Sequence, residues 1–244
     1  MHLHTNQLSG PIAPELEKLT LLQGLSLSAN RLTGQIPTSL SGLTSLSILY
    51  LHTNQLSSPI PPKLGKLTSL EDLELGTNNL TVVWGDLEGN WKVTILLDLY
   101  LEDDKLSGGI PQELGSLSYL EILDHSRNGM KGQISKNLAN SKQLHYLNLT
   151  FNNLSRRIPH QLGKLIHQSE LDMSNNLLSG EIPSELQFLA SLEILNLSHN
   201  HLFGLIPKSF EEMPSKMDIE ISFNELEGPV PCGKAFHDVS IEQL

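Results

Sequence analysis

The sequence predicts an α/β repeat fold, a right-handed solenoid of about ten coils with a parallel β-sheet along its concave face. Three observations predict it: one asparagine position returns every 24 residues, leucines hold fixed places before it, and a Gly-x-Ile-Pro tail follows it. Repetition at one fixed period is the mark of a solenoid, because each unit buries its apolar side only against its neighbours.

The repeated asparagine sets the register of the whole chain. Its spacing is 24 residues at every step except the one from Asn78 to Asp104, which is 26. A side-chain amide donates and accepts hydrogen bonds at once, so it can satisfy backbone groups at the buried corner where the chain leaves a strand. We therefore expect these ladder side chains to be buried: Asn30, Asn54, Asn128, Asn152, Asn176 and Asn200. Asp104 lacks the donor when ionised, so we expect a weaker rung there or a partly protonated acid. This asparagine ladder consists of Asn6, Asn30, Asn54, Asn78, Asp104, Asn128, Asn152, Asn176, Asn200 and Asn224.

Two extended pieces and a turn are expected in each coil. Before the ladder position, leucines two residues apart, such as Leu195 and Leu197, point inward from a short strand. After it, the Leu-Ser-Gly-x-Ile-Pro tail adds a second extended piece, which proline ends because it has no N–H to donate. A brief helical turn should follow on the convex side, as at 183–186. The clearest unit carries the pattern at Leu192, Leu195, Leu197, Asn200, Leu202, Gly204, Ile206 and Pro207.

The repeats extend over residues 1–231, and residues 232–244 form a C-terminal flanking segment. One coil, 78–104, is irregular, since it lacks the Gly-x-Ile-Pro tail and carries Trp84 and Trp91 near its two extra residues. Insertions in solenoids emerge as loops on one face, so we expect a loop here. Cys232 should be an exposed free thiol. The sequence shows no signal peptide, no membrane-spanning run and no kinase.

The acidic balance of the chain excludes two classes of partner. The formal net charge is -11, whereas nucleic acids and anionic lipid surfaces both require a basic face. The sequence also lacks the spacing of a catalytic constellation, and the pairs His2/His4 and His199/His201 have no third metal ligand nearby. We therefore expect neither an enzyme nor a metal or cofactor site, but a protein that binds another molecule.

The candidate binding site is the concave face, where solenoids present their extended binding surfaces. Carboxylates and aromatic residues recur there at the outward strand positions and just before the ladder. This mixture suits a cationic, extended peptide, with carboxylates pairing Arg or Lys and aromatics serving as anchors. The alternative is a solvated face that only maintains solubility, and the two interpretations stay open. The candidate residues are Tyr50, Asp72, Glu74, Asp98, Tyr100, Glu102, Asp103, Asp124, Tyr146, Phe151, Glu170 and Asp172.

Four Asn-x-Ser/Thr sequons are candidates for N-glycosylation. The repeat consensus itself supplies Asn-Leu-Ser, so the motif alone does not show that a sequon is used. Asn79 and Asn153 follow the ladder position and should be exposed at the coil edge. Asn148 and Asn196 lie on the concave strand, where a glycan would block part of the face.

The L-x-x-L-x-L-x-x-N-x-L-S-G-x-I-P units resemble the leucine-rich repeats of plant receptor-like kinase and receptor-like protein ectodomains. The last coil, with Pro231 and then Lys234-Ala235-Phe236, is similar to the final repeat before the membrane in relatives of the receptor kinase that interacts with a pollen-tube receptor. That family has a cysteine-paired N-terminal cap, a membrane helix and a kinase, none of which occurs in this sequence. The resemblance thus implies a fragment, a truncated product or a soluble relative.

The resemblance also implies a function. It indicates a recognition module at the extracellular face of the plasma membrane or in the apoplast, which binds a peptide or protein ligand, with a co-receptor as a further candidate partner. One alternative is an inhibitor of secreted cell-wall-degrading enzymes, similar to polygalacturonase-inhibiting proteins. A lesser alternative is ice binding, which favours a flat, regular and weakly charged row and is therefore disfavoured by the acidic, irregular strand face.

Overall fold

The computed structural model describes residues 1–81, 93–213 and 217–232 and shows a solenoid whose coils stack in sequence order. A nine-stranded parallel sheet, the main sheet, joins consecutive coils along the concave face, and an isolated bridge between His2 and Ser26 extends it to the first coil. The predicted leucine-rich-repeat solenoid is confirmed. The strands of the main sheet are Gly24–Ser26, Ile48–Tyr50, Asp72–Glu74, Asp98–Tyr100, Ile122–Asp124, Tyr146–Asn148, Glu170–Asp172, Ile194–Asn196 and Asp218–Glu220.

The second extended piece of each coil forms parallel sheets on the flank of the solenoid. One flank sheet consists of Ser9–Gly10, Arg31–Gly34, Gln55–Pro59 and Asn79–Thr81. The other consists of Ser107–Gly108, Gly129–Gly132, Asn153–Arg156, Leu177–Gly180, His201–Leu205 and Glu225–Glu227. Among the described residues no strand pairing joins the two flank sheets at the irregular coil, where the Lys105 N–H donates to the Leu80 carbonyl at 3.0 Å, whereas the main sheet continues across it. The expected loop with Trp84 and Trp91 lies outside the described residues, as do residues 233–244 of the predicted flanking segment.

The convex side is built from short 3₁₀ helices, each of five residues. Most of them begin just after a proline, such as Pro183, whose extended backbone ends the preceding piece. Five residues are too few for a stable α-helix, so the helical turn of the sequence prediction takes the tighter form. No helix in the described part of the chain is long and apolar enough to cross a membrane. The 3₁₀ helices are Pro14–Lys18, Thr38–Gly42, Pro62–Lys66, Gln112–Ser116, Lys136–Asn140, His160–Lys164, Ser184–Phe188 and Lys208–Glu212.

The core is aliphatic, with columns of leucines such as Leu49, Leu73 and Leu99 that are 0% exposed. Two polar residues occupy positions that hold leucine in neighbouring coils. His125 is 1% exposed, and burial lowers its pKa to about 3, so the imidazole is neutral. Gln168 is 0% exposed and donates from Nε2 to the Glu170 carbonyl at 2.6 Å.

The ladder asparagines tie each coil to the one before it. The Asn152 amide donates from Nδ2 to the carbonyl of His125 in the preceding coil at 3.0 Å, and to Leu149 and Thr150 in its own coil. Its Oδ1 accepts from the backbone N–H of Met130 at 3.0 Å. One amide thus serves four backbone groups on two coils, which a hydrocarbon side chain cannot do.

Burial of the ladder varies along the chain. Asn152, Asn176 and Asn200 are buried, as the sequence predicts for a structural amide. The ladder side chains Asn30, Asn54 and Asn128 are half-buried rather than buried, which corrects the sequence prediction, and Asn6 is exposed. Asn6 donates only to carbonyls of its own coil, Leu3 and His4.

Asp104 is the exception within the ladder. Its Oδ1 accepts from the Leu80 N–H at 2.7 Å, as an asparagine would, but its buried Oδ2 has no hydrogen-bond partner among the described residues. Burial raises the pKa of this carboxyl to about 8. At neutral pH the acid is therefore mostly protonated, in agreement with the sequence expectation.

Every coil has one residue in the left-handed backbone region, and nine of the ten have a second among the described residues. The residue before each ladder position has φ between 52° and 57° in all ten coils, although none of these residues is glycine. Four residues after the ladder, glycine is usual, as at Gly132, but Ser58 and Arg156 take its place with φ of 79° and 71°. A left-handed conformation is unfavourable for a residue with a side chain, so these two positions are strained.

Replacing Asp104 with Asn should stabilise the protein, and more so at high pH. Burial holds the pKa of the native carboxyl at about 8, whereas the pKa of the unfolded one is the ordinary 3.8. Stability of the wild type thus falls as pH rises through this window, and the amide has no such loss. We expect a gain of roughly 1–3 kcal/mol at pH 8, measured by urea unfolding. Asn128→Asp is the reciprocal control and should lose stability at pH 8. An equal gain from Asp104→Asn at pH 4 and pH 8 would contradict the assignment.

Replacing Arg156 with Gly should stabilise the protein by about 1 kcal/mol, because it removes the left-handed strain and this gain exceeds the added freedom of the unfolded chain. Gly132→Ala is the matched control at the same position of the preceding coil. An added Cβ there meets no atom within 4 Å, so its expected destabilisation reports the backbone alone. Thermal unfolding of both variants measures the effect, and a less stable Arg156→Gly variant would disprove it.

Candidate functional site

The main sheet presents two outward rows of side chains, from the first and third residue of each strand. Parallel pairing in register places each residue beside its counterpart one coil away, as for Asp72 and Asp98 or for Glu74 and Tyr100. The middle residue, such as Leu73, points into the core. The structure thus assembles nine of the predicted residues on one surface: Tyr50, Asp72, Glu74, Asp98, Tyr100, Asp124, Tyr146, Glu170 and Asp172.

Five of these residues form a compact cluster, the acidic patch, made of Tyr50, Asp72, Glu74, Asp98 and Tyr100. The Tyr50 hydroxyl donates to Asp72 Oδ2. Burial, followed by the charges of its acidic neighbours, raises the pKa of Glu74 to about 7. Burial and then nearby carboxylates also raise the pKa of Asp98, and raise that of Tyr100 to about 12. The patch contains three carboxyl groups and no basic residue, so its negative charges repel one another.

His145 exerts a favourable charge effect on Asp98, but the histidine in direct contact with the patch is His52. Its Nε2 lies 3.0 Å from Glu74 Oε2, and its Nδ1 lies 3.1 Å from the Thr53 hydroxyl. Burial lowers the pKa of His52, so the ring is neutral at pH 7 and donates one N–H to Glu74. This contact orients Glu74 without cancelling the charge of the patch.

Glu102 lies beside the acidic patch but is folded down against the backbone. A methyl group at Gly76 would collide with its carboxyl, so the missing side chain of Gly76 creates the niche that Glu102 fills. Its Oε2 is buried without a hydrogen-bond partner in the described part of the chain, and burial raises its pKa. The equivalent position in most other coils is serine, as at Ser126.

Asp124 and Asp172 have structural partners. Asp124, only 8% exposed, accepts from the Ser126 N–H at 2.9 Å and from the Asn148 amide at 3.0 Å. Asp172 accepts in the same way from the Ser174 N–H at 2.9 Å and from Asn196 at 3.2 Å. These carboxylates cap the ends of their strands.

The capping role of this position was missed by the sequence interpretation, although a signal for it exists. Asn148 and Asn196 accept from the N–H two residues later in the same geometry, each at 3.1 Å. The shared pattern is Asp or Asn, then one residue, then Ser or Thr, which is the signature of a local side-chain turn.

Asp103 and Phe151 lie at the rim of the concave face rather than on its strands. Both precede the ladder in the left-handed conformation, with φ of 53°. Phe151 is 48% exposed, and the Arg127 guanidinium lies 4.7 Å from its ring centre. The rim therefore offers an exposed aromatic–cation pair beside the sheet.

The convex side carries a groove of about 1020 Å³ that contains none of the predicted residues. Charged side chains of both signs line it, including Lys136, Arg157 and Glu185, together with prolines such as Pro159. Two basic and two acidic side chains line the groove, and His160 lies 3.6 Å from Glu185, so its charges balance; the concave acidic patch, whose like charges do not, is the better-defined candidate. Among the described residues, no group of three or more His, Cys, Asp or Glu could hold a metal ion.

A family model described as Leucine Rich Repeat matches residues 21–43, 45–67, 143–165, 169–189 and 191–213. The ectodomain of the receptor kinase GASSHO1/SCHENGEN3 from Arabidopsis thaliana is 37% identical over 94% of this chain, with a TM-score of 0.89. This chain is a leucine-rich-repeat protein whose fold is similar to that of plant receptor ectodomains. No match was found among the curated proteins.

Two further solved structures are similar to this leucine-rich-repeat protein. The ectodomain of the Arabidopsis receptor kinase HAESA is 34% identical over 93% of the chain, with a TM-score of 0.86. A plant ice-binding protein is 29% identical over 96% of the chain, with a TM-score of 0.82, and the match covers 74% of that protein. The matches cover 27% of the GASSHO1/SCHENGEN3 chain and 38% of the HAESA chain, so this protein spans well under half of either ectodomain.

Replacing Asp98 with Asn should lower the pKa of Glu74 and stabilise the empty protein at pH 8. Asp98 lies directly opposite Asp72, and like charges on adjacent strands are destabilising. We expect a gain of roughly 0.2–1 kcal/mol at pH 8 and a smaller one at pH 4, where the acids are protonated. Carbon-detected NMR titration follows Glu74, and urea unfolding follows stability. The exposed Glu15→Gln is the control for a general charge effect; if it moves the Glu74 pKa equally, the acidic patch is not a coupled unit.

Proposed function

We propose that this chain is a non-catalytic recognition module that binds an extended peptide on its concave face. Its solved neighbours support this proposal. The GASSHO1/SCHENGEN3 ectodomain is in complex with CASPARIAN STRIP INTEGRITY FACTOR 2, and HAESA is in complex with an IDA peptide hormone that is extended at its N-terminus. A further structure of HAESA contains the co-receptor SERK1, so a co-receptor is a second class of partner for this chain.

We place the ligand on the acidic patch, and one observation carries this choice. Asp72 and Asp98 are paired on adjacent strands, and Glu74 lies on the strand of Asp72; all three have raised pKa values, and among the described residues no Lys or Arg forms a salt bridge with them. A guanidinium or ammonium group would relieve their repulsion, and arginine could bind two carboxylate oxygens at once. The proposed ligand is therefore a peptide with Arg or Lys at the residues that meet these strands.

The tyrosines of the patch would provide apolar contact next to the charges. Tyr50 and Tyr100 are half-buried on the third-residue row, on either side of Glu74. Such rigid aromatic groups are frequent centres of binding energy, whereas the carboxylates steer association. Asp124, Asp172 and Glu102 would contribute mainly to the negative field, because their oxygens already cap strands or lie in the Gly76 niche.

We infer an extracellular location, because the solved neighbours are ectodomains of membrane receptor kinases.

Ice binding is the second candidate function, because one solved neighbour is a plant ice-binding protein. Neighbouring residues of the outward rows differ in size and charge, as Ile122, Tyr146 and Glu170 do. The rows therefore do not form a regular surface that could match the ice lattice. An inhibitor of cell-wall-degrading enzymes would use the same concave rows, and inhibition of polygalacturonase is its direct test.

The proposal is tested by selecting binders to the immobilised protein from a library of linear peptides with random sequences. We expect enrichment of Arg and Lys, and a recovered peptide should bind more weakly as salt rises, because exposed charges are screened. Asp98→Asn with Glu74→Gln should weaken binding about tenfold, equivalent to about 1.4 kcal/mol. Tyr100→Ala should shorten the lifetime of the complex, since a buried anchor acts mainly on dissociation.

The control is Glu15→Gln with Glu193→Gln, which removes the same charge from exposed positions off the two rows. This variant should bind as the wild type does. Salt-independent binding, or equal weakening by the control, would contradict a specific role of the acidic patch.

A further inference from the structure

The four sequons occupy two structurally different positions. Asn79 and Asn153 follow the ladder residue, begin the flank-sheet strands Asn79–Thr81 and Asn153–Arg156, and are exposed. Asn148 and Asn196 end strands of the main sheet and are half-buried. The same motif therefore offers two asparagines that are open to solvent and two that are enclosed in the concave surface.

The Asn148 amide uses both hydrogens and its oxygen. Its Nδ2 donates to Asp124 Oδ2 at 3.0 Å and to the Tyr146 hydroxyl at 3.3 Å, while Oδ1 accepts from the Thr150 N–H at 3.1 Å. Thr150, the third residue of the sequon, is only 8% exposed. A modification at Nδ2 must break at least one of its bonds to Asp124 and Tyr146.

Asn196 is held in a similar way. Its Nδ2 donates to Asp172 Oδ2 at 3.2 Å, and its Oδ1 accepts from both the N–H and the hydroxyl of Ser198, at 3.1 Å and 2.8 Å. Ser198, the hydroxyl residue of this sequon, is 5% exposed. Neither Asn79 nor Asn153 makes a comparable side-chain hydrogen bond within the described residues.

N-glycosylation removes one of the two amide hydrogens. Nδ2 forms a bond to the anomeric carbon of a lipid-pyrophosphate oligosaccharide, the bond from that carbon to the pyrophosphate oxygen breaks, and lipid pyrophosphate leaves as Nδ2 loses a proton. The product amide retains a single N–H. Asn148 could then no longer satisfy both Asp124 and Tyr146, whereas Asn79 and Asn153 lose no bond of the fold.

We propose that the secreted chain carries N-linked glycans at Asn79 and Asn153 and none at Asn148 and Asn196. The proposal rests on the extracellular location inferred above, because the oligosaccharide donor acts in the secretory pathway. Both glycans project from the first position after the ladder, on the same flank of the solenoid. The acidic patch and the rest of the concave face stay free of carbohydrate.

Expression of the chain behind a secretion signal in plant cells, followed by glycopeptide mass spectrometry, tests this proposal. Asn79→Gln and Asn153→Gln should each remove one glycan, seen as one step in gel mobility, and the double variant should carry none. Asn148→Gln and Asn196→Gln should leave the number of glycans unchanged. Gln55→Asn creates an Asn-Leu-Ser sequon at the equivalent exposed flank position and should add a third glycan.

A glycan on Asn148 or Asn196 in the folded, secreted protein would overturn the proposal. So would unmodified Asn79 and Asn153, whether or not the Gln55→Asn sequon is occupied. Peptide binding by the same preparations is measured separately: the flank variants should bind the selected peptide as the wild type does. Loss of peptide binding with the glycan pattern intact would count against the proposed function alone.

Discussion

The whole stack depends on the two-way hydrogen bonding of one side-chain amide per coil. The leucine core is strongly stabilising but non-directional, so it holds the coils together without fixing where one lies on the next. The ladder supplies that direction, since an amide such as Asn152 donates to carbonyls of two coils and accepts from the earlier one. These bonds therefore determine the position of every strand and of every side chain on the concave face.

Much of this arrangement could be predicted from the spacing of residues in the sequence. The ladder, both sets of extended pieces and the outward rows could be predicted because a fixed period assigns each residue the same place in its coil. The same register places His125 and Gln168 at positions that hold leucine in neighbouring coils. Their burial in the core could therefore have been predicted from the sequence. Two backbone features could not be predicted in this way: the 3₁₀ form of the convex turns and the left-handed residues before the ladder. Both depend on how the backbone turns to complete each coil, and the hydrophobic pattern carries no information about that.

The candidate site was predictable only as a surface, because its chemistry depends on contacts between coils. Asp124, the third residue of its strand, caps the strand end, whereas Asp98, the first residue of its strand, lies on the other outward row and makes no such bond among the described residues. Glu102 fills a niche whose existence depends on Gly76, 26 residues earlier along the chain. Such pairs are distant in sequence and adjacent in space, and rotamers decide which carboxylate remains available. The uncompensated acids of the patch lower the stability of the empty protein, a familiar cost of a surface adapted to a partner.

The separation of the two flank sheets has a consequence for how the molecule comes apart. Stability in a solenoid is a sum of coil terms and couplings between nearest neighbours, so a weak coupling divides the stack into cooperative blocks. Among the described residues no flank strand pairs across the irregular coil, although the Lys105 N–H donates to the Leu80 carbonyl at 3.0 Å, and the ladder residue at this junction is Asp104 with one unpaired oxygen. The main sheet pairs strands across this junction. Unfolding is thus expected to proceed in two steps, with the N-terminal coils and the C-terminal coils each melting as a unit, and the irregular coil acts as the boundary between two folding domains within one continuous solenoid.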